Sequence, residues 1–200
     1  MTSWNAFYNR TQTRGPSQLL HLAMDYARDL SPRLAVDLGC GAGNETCQLI
    51  EAGWHVLAID KEFEAIARTI NRCSEGGDRR LTAQVADFER IESLPPSSLI
   101  HAGLALPFCR PHRFASLWNQ VRQALVPGGV FVGHFFGLRH SWVKEEQMSF
   151  HSEEDVRRLA DGLEMLLLHE AESSMIIDSG SVNWHRIDVI LRKPSLPTKK

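Results

Sequence analysis

Residues 35–44, AVDLGCGAGN, join a short apolar run with an acidic residue to three alternating glycines. The apolar part has the composition of a buried β-strand. Gly39, Gly41 and Gly43 lack the Cβ atoms that would hinder a sharp turn from strand to helix, and they let the backbone come close to a ligand. The stretch therefore predicts a strand, a nucleotide-binding loop and a helix in direct succession.

A second apolar run at residues 55–59 ends in Asp60. In a Rossmann-like unit, an acidic residue at this place binds ribose hydroxyls. The glycine spacing is G-x-G-x-G, without the helix-side glycine that dinucleotide sites place near a pyrophosphate, and this disfavours NAD. Asp60 can also serve simply as a cap for the helix that follows, and the sequence leaves that alternative open.

Helix and strand patterns alternate along the rest of the chain. The strands are predicted at residues 33–38, 55–60, 81–86, 99–105, 130–136, 171–177 and 185–192. The gap before the last run is too short for a crossover helix, so the final two runs form a hairpin. The sequence thus predicts an α/β fold with a Rossmann-like, doubly wound, seven-stranded sheet, mostly parallel with an antiparallel last strand.

Several residues mark the predicted helix boundaries. Asn44 is expected to cap the helix after the glycine loop, and Gly53 to end it. Ser152 and Asp155 have the spacing of a capping box, with Asp in place of the usual Glu or Gln.

Composition limits the class of protein. The length of 200 residues favours one domain. The formal charge of −2 argues against bulk nucleic-acid or membrane-surface binding. It shows neither a signal peptide nor a long apolar run. The 4 cysteines have no C-x-x-C spacing, which predicts reduced thiols rather than disulfides or a zinc site, as expected in the cytoplasm.

These motifs together resemble the class I S-adenosylmethionine-dependent methyltransferases, and the likeness covers nearly the whole chain. The segments that carry it are Asp37-Leu-Gly39-Cys-Gly41-Ala-Gly43, Asp60, Asp87-Phe88, the turn Pro127-Gly128-Gly129 and the terminal hairpin. Residues 8–14, 58–61 and 190–193 look like the small tellurite-resistance-type subgroup. The motifs in residues 104–108 and 184–185 are also found in a broader set of small-molecule methyltransferases.

The resemblance implies a binding site for S-adenosylmethionine. The implied cofactor-binding residues are Arg14, Asp37, Gly39, Cys40, Gly41, Asn44, Asp60, Lys61, Asp87, Phe88, Gly103 and Leu104. Asp37 and the backbone carbonyls near Gly39 and Gly103 suit the ammonium of the cofactor, and Arg14 suits its carboxylate. Arg14 as a solvated charge, Asp87 as a turn residue and Phe88 as a core residue remain alternatives.

The same resemblance implies a single domain that transfers a methyl group to a small-molecule acceptor. Residues 1–32 would form a helical lid or cofactor segment, residues 33–193 the core and residues 194–200 a flexible tail. We expect no nucleic-acid or membrane partner, and a monomer or homodimer. A cofactor-binding regulatory or scaffold domain and an NAD-dependent oxidoreductase are the competing functions.

Candidate catalytic residues are the histidines expected at the carboxyl edge of the sheet. His134 ends the predicted fifth strand, and His185 begins the antiparallel last strand, so both should reach the edge where ligands bind in open α/β sheets. Either would serve as a base if the acceptor is a hydroxyl. Trp142 and Trp184 are candidates for the walls of the acceptor pocket, together with His140 nearby. Structural packing is the alternative for each of these side chains.

Overall fold

A computed structural model describes residues 15–73, 79–177 and 180–195. The α-helices in these ranges are α1 (Gln18–Tyr26), α2 (Asn44–Glu51), α3 (Phe63–Cys73), α4 (Pro111–Ala124) and α5 (Glu153–Leu159). The strands are β1 (Leu34–Leu38), β2 (His55–Asp60), β3 (Leu81–Val85), β4 (Ser97–Ala102), β5 (Leu125–Phe136), β6 (Glu164–Ile177) and β7 (Gly180–Arg192). In the described part of the chain, no helix has the length and apolar character needed to cross a membrane.

The strands form one seven-stranded sheet in the order β3-β2-β1-β4-β5-β7-β6. Neighbours from β3 to β5 are parallel, whereas β7 runs antiparallel to both β5 and β6. The strand order reverses between β1 and β4, which opens a crevice at their carboxyl ends. The predicted fold class, including the antiparallel last strand, is confirmed.

Several strand limits differ from the predicted ones. β5 begins at Leu125 and continues through the predicted Pro-Gly-Gly turn, while β6 and β7 begin at Glu164 and Gly180 and make a much longer hairpin. β4 instead ends early, at Ala102. These limits depend on which neighbouring strand offers hydrogen-bonding partners, and local composition does not encode that choice.

Two of the predicted helix boundaries are confirmed and one is wrong. Gly53 has φ +86° just after α2, and Ser152 and Asp155 form both hydrogen bonds of a capping box. Asn44, however, is the first helical residue rather than the cap. Gly43 takes the cap position with φ +81°, because the chain has to leave the glycine loop in a left-handed conformation that favours glycine.

Both faces of the sheet are covered at its centre, which explains why the central strands β1, β4 and β5 are almost completely buried. On one face, α1, α2 and α3 pack over a core that contains Leu20, Leu49 and Trp54. On the other face, Trp118 of α4 contacts Phe131 and lies in a core that extends to α5. The carboxyl edge of the sheet lies between these layers.

The cysteine prediction is wrong for one pair. Cys47 of α2 and Cys73 at the end of α3 form a disulfide with their Cα atoms 5.2 Å apart, whereas Cys40 and Cys109 are buried thiols. The two bonded cysteines are 26 residues apart in sequence, and they meet because α2 and α3 pack side by side. Spacing rules for short cysteine motifs do not detect such a pair.

Candidate active site

The glycine loop between β1 and α2 is held close to two other loops at the carboxyl edge. The N–H groups of Gly39 and Cys40 both donate to the carbonyl of Ile59, at 2.7 and 3.0 Å. A Cβ added to Gly39 would lie 2.3 Å from the Cβ of Ala105 and 3.7 Å from the Phe88 ring. The loops after β1, β3 and β4 therefore converge on one glycine, and they leave no space for a side chain there.

Asp60 joins the glycine loop to the start of the next helix. Its Oδ2 accepts a hydrogen bond from the Gly41 N–H at 3.0 Å, and its Oδ1 accepts one from the Glu62 N–H at 2.9 Å. Burial raises the pKa of the Asp60 carboxyl, and the two N–H donors partly oppose that shift. Each carboxylate oxygen can accept a second hydrogen bond, which is what a ribose hydroxyl requires.

Asp37 lies beneath the loop and is 1 % exposed. The Thr46 hydroxyl donates to its Oδ2 at 2.6 Å, and Nδ1 of His101 lies 2.8 Å from its Oδ1. This carboxylate thus ties β1 to α2 and to β4. Its direct contact with a ligand ammonium stays a prediction, and the structure adds a role for it in holding the loop.

A cleft of about 450 Å³ lies between the loops that follow β2 and β3. Its lining residues are Lys61, Glu62, Gln84, Val85, Ala86, Asp87 and Arg90. The exposed Asp87 accepts a hydrogen bond from the Glu89 N–H at 3.0 Å and caps a short 3₁₀ turn at Phe88–Arg90. Lys61 and Asp87, which come from different loops, therefore border one cleft, with the half-buried Phe88 between this cleft and Gly39.

The loop after β4 has a strained residue at the centre of the site. Leu104 has φ +55°, which is uncommon outside glycine and costs about 1–3 kcal/mol. Its N–H donates to Nδ1 of His134 at 3.2 Å, and Nε2 of His134 lies 3.7 Å from Asp188 Oδ1. An Nδ1 that accepts leaves the proton on Nε2, facing the carboxylate. His134 therefore contacts the loop that borders the cofactor crevice.

Sequence reasoning missed Asp188. It lies directly opposite His134 in the β5–β7 ladder, and the Arg186 guanidinium donates to both its oxygens at 2.6 and 3.1 Å. An aspartate within the apolar stretch 187–191 is the signal that could have identified it, since a buried carboxylate requires partners.

His185 has a different environment from His134. It is 2 % exposed, its Nδ1 accepts the Arg139 N–H at 2.9 Å, and its Nε2 lies 2.6 Å from Glu170 Oε1. That hydrogen bond is the main reason why the pKa of Glu170 is lowered. His185 projects from the opposite face of the sheet to Asp188, because side chains alternate along β7. The structure therefore does not bring the two predicted histidines together.

Aromatic side chains pack together at the end of β5. His140 stacks on Phe136 with ring centroids 4.1 Å apart, and Trp184 meets Phe136 edge to face at 5.3 Å. Trp142 lies 5.5 Å from Trp184 and donates its backbone N–H to His140 Nδ1. Burial lowers the pKa of His140 to about 4, so the ring is neutral near pH 7. We call these four residues the aromatic wall.

Three predicted cofactor residues remain: Asn44 after the glycine loop, Gly103 after β4, and Arg14. Asn44 contacts Arg72 of α3 through its side-chain oxygen. A Cβ on Gly103 would lie 2.6 Å from the His101 ring, so this position also requires glycine. Arg14 lies outside the described residues.

A Rossmann-like sheet with an antiparallel seventh strand, a tight glycine loop at its switch point and an acidic residue after β2 defines the class I methyltransferase fold. A family model described as a methyltransferase domain matches residues 35–129. The chain is 30% identical over 134 residues to a carboxy-S-adenosyl-L-methionine synthase of Pseudomonas putida (strain W619), covering 58% of this chain and 51% of that protein. It spans between 40% and 51% of the length of the curated relatives it matches.

Solved structures share the fold. TehB from Haemophilus influenzae superposes with a TM-score of 0.72 at 18% identity, over 86% of this chain and 62% of that one. The N-methyltransferase NodS from Bradyrhizobium japonicum WM9 gives a TM-score of 0.71 at 16% identity, over 94% and 97%. The sequence match over residues 35–129 and the shared fold both support the class I S-adenosylmethionine-dependent methyltransferase family. The assignment of the chain to the tellurite-resistance-type subgroup stays a prediction.

Proposed function

We propose that the chain binds S-adenosylmethionine at the convergence of the loops after β1, β2, β3 and β4, and that it methylates a small molecule. The observation that carries the proposal is the convergence of these loops on Gly39, where contact with Ala105 leaves no space for a Cβ. The buried Asp60 carboxylate beside the glycine loop suits ribose hydroxyls, and the cleft bordered by Lys61 and Asp87 suits adenine. The bound cofactor supplies an electrophilic methyl group on its sulfonium.

The proposed acceptor site lies between Leu104 and the aromatic wall. An apolar wall with a few polar groups suits a small, partly apolar molecule, since small-molecule sites are mostly apolar and concave. A protein or nucleic-acid acceptor usually requires a broad basic surface, and the net charge of −2 does not favour one. Holding an acceptor in line with the methyl group contributes several kcal/mol by proximity, so an acceptor that is already nucleophilic requires no base.

For a hydroxyl acceptor, His134 is the stronger of the two predicted bases. Its Nδ1 accepts the N–H of Leu104, in the loop beside the proposed cofactor site, and this hydrogen bond would have to open for Nδ1 to take a proton from the acceptor. His185 lies on the opposite face of β7 from Asp188 and bonds Arg139 and Glu170 there. A catalytic role for either histidine, a cytoplasmic location and a monomeric or homodimeric state are predictions that belong to this proposal.

Two measurements test the proposal. Calorimetry should detect micromolar binding of S-adenosylhomocysteine and none of NAD; the reverse result would indicate an oxidoreductase. Incubation with methyl-tritiated cofactor should then produce a new labelled small molecule in a cell extract, separated from the unreacted cofactor by chromatography, and should leave its proteins and nucleic acids unlabelled. Labelling of macromolecules alone would overturn the small-molecule acceptor, and cofactor binding without labelling of any fraction would favour the regulatory or scaffold alternative.

A further inference from the structure

The disulfide joins the two helices that follow the cofactor loops. α2 begins directly after Gly43, and α3 begins shortly after Asp60. Cys47 lies in the first turn of α2, and Cys73 ends α3. A bond between these cysteines therefore fixes the distance between elements that carry two parts of the proposed cofactor site.

The C-terminal half of α3 supports the glycine loop directly. The Thr69 hydroxyl donates to the Gly41 carbonyl at 3.1 Å, and a Cβ on Gly43 would lie 2.9 Å from the Thr69 Cα. Arg72 contacts the side chain of Asn44. A displacement of α3 would therefore change the conformation of the loop, because this loop rests on α3 along most of its length.

The chemical state of Cys73 also matters at the loop. Its Sγ lies 3.7 Å from the Gly43 carbonyl oxygen. A thiol at this place can donate a weak hydrogen bond to that carbonyl, whereas a disulfide sulfur has no proton to donate. The oxidised and reduced proteins thus hold the loop by different means, the first by a covalent link and the second by weak contacts.

We infer that Cys47 and Cys73 form a reversible thiol–disulfide site that sets the affinity of the glycine loop for its cofactor. The inference rests on the proposed cofactor site, but not on the identity of the acceptor. The disulfide form binds the cofactor more tightly, because a cross-linked α2–α3 pair loses less conformational freedom when the ligand orders the loop. The reduced form binds more weakly.

The exchange balances with an ordinary small-molecule disulfide as oxidant. The Cys47 thiolate attacks one sulfur of the oxidant, which releases one thiol and leaves a mixed disulfide on Cys47. The Cys73 thiolate then attacks the Cys47 sulfur and releases the second thiol, while the two protons of the cysteines pass to the released thiolates. A dithiol reductant reverses the exchange. It is oxidised to a disulfide itself, and Cys47 and Cys73 return to thiols.

Accessibility makes Cys47 the point of attack. Cys47 is half-buried, whereas Cys73, Cys40 and Cys109 are 8 %, 5 % and 1 % exposed, and of these three only Cys73 is bonded to Cys47. Burial raises the pKa of the Cys109 thiol to about 11 and raises that of Cys40 as well, so both stay protonated and unreactive near neutral pH.

Calorimetry with S-adenosylhomocysteine tests the inference on the full chain prepared in two states. One sample is treated with oxidised glutathione and desalted, and the other is kept in a phosphine reductant; alkylation and peptide mass spectrometry verify the state of each cysteine. We expect the oxidised protein to bind about 3- to 10-fold more tightly. Cys47→Ser and Cys73→Ser should bind at the weaker level in both conditions, and Cys109→Ser should keep the wild-type difference.

Equal affinities of the two wild-type states would overturn the inference, and so would a redox difference that persists in Cys47→Ser. If the serine variants fail to fold, the wild-type comparison still decides the result, supported by hydrogen exchange of residues 39–44 in each state. Failure of both states to bind S-adenosylhomocysteine would instead refute the proposed cofactor site, so the two failures are distinguishable.

Discussion

Gly39 and Ala105 lie in contact across the crevice, so close that a Cβ on Gly39 would stand 2.3 Å from the Ala105 methyl carbon. Gly39 follows β1 and Ala105 follows β4, the two strands between which the strand order reverses. This contact brings the glycine loop and the proposed acceptor loop together. Glycine is required at position 39 for two reasons: a side chain would clash with Ala105, and the φ of +72° is a conformation that favours glycine.

Gly39→Ala should therefore abolish high-affinity cofactor binding. The added Cβ clashes with backbone-anchored Ala105 in a conformation that alanine disfavours, at a cost of about 1–3 kcal/mol in stability. We expect at least a tenfold loss of affinity for S-adenosylhomocysteine by calorimetry. Gly15→Ala is the matched control, because no atom of the described residues lies within 4 Å of its added Cβ. Wild-type affinity in Gly39→Ala would contradict the proposed loop contact.

Asp60→Ala should weaken cofactor binding by about 1.5–3 kcal/mol through the loss of charge-assisted hydrogen bonds. A smaller loss of stability should accompany it, because the Gly41 and Glu62 N–H groups lose their acceptor. Calorimetry and thermal unfolding measure the two effects, with the exposed Asp29→Ala as a control. An unchanged dissociation constant with a large fall in melting temperature would mean that Asp60 is only a structural cap.

His134→Ala should lower methyl transfer while the dissociation constant of S-adenosylhomocysteine stays within a few-fold of the wild-type value. The reason is that His134 contacts Leu104 rather than any of the glycines. His185→Ala should instead lower the melting temperature, since it leaves the Arg139 N–H and the Glu170 carboxylate without their partner, a loss of about 1–3 kcal/mol. Full activity of His134→Ala on an identified acceptor would remove this histidine from the site.

The stability of the protein should decrease between pH 7 and pH 5 because of His140. Burial lowers the pKa of His140 to about 4 from an ordinary value of 6.5, so the folded state favours the neutral ring. The stability that depends on the neutral His140 ring is therefore complete above about pH 6.5 and is lost as the pH falls towards 4. His140→Phe keeps the stack on Phe136 and should reduce the decrease by about 1–2 kcal/mol, measured by urea unfolding at each pH. An unchanged pH profile would contradict this assignment.

His151 provides an internal comparison for that measurement. Burial lowers its pKa to about 4 as well, and its ring lies 4.4 Å from that of Phe114, away from the aromatic wall. His151→Phe should therefore reduce the pH dependence by a similar amount, and the double variant should be flatter than either single one. Equal profiles in all four proteins would show that neither histidine is responsible.

The amino-acid sequence by itself determined the fold class and the position of the glycine loop. Residues 35–44 and Asp60 are informative because their geometry is local: a strand, a tight glycine turn and a helix follow one another without a break. The terminal hairpin was predictable for the same reason, since a short gap leaves no room for a crossover. Helix limits at Gly53 and Ser152 also depend only on nearby residues.

Only the tertiary structure decided the pairs that join distant parts of the chain. The contact of Gly39 with Ala105, the placement of His134 opposite Asp188 and the bond between Cys47 and Cys73 all depend on strand order and on how helices pack. His134 and His185 illustrate the limit: both reach the predicted edge, but strand register turns their side chains to opposite faces. A shift of one residue reverses the face that a side chain occupies, and packing of the whole sheet sets that register.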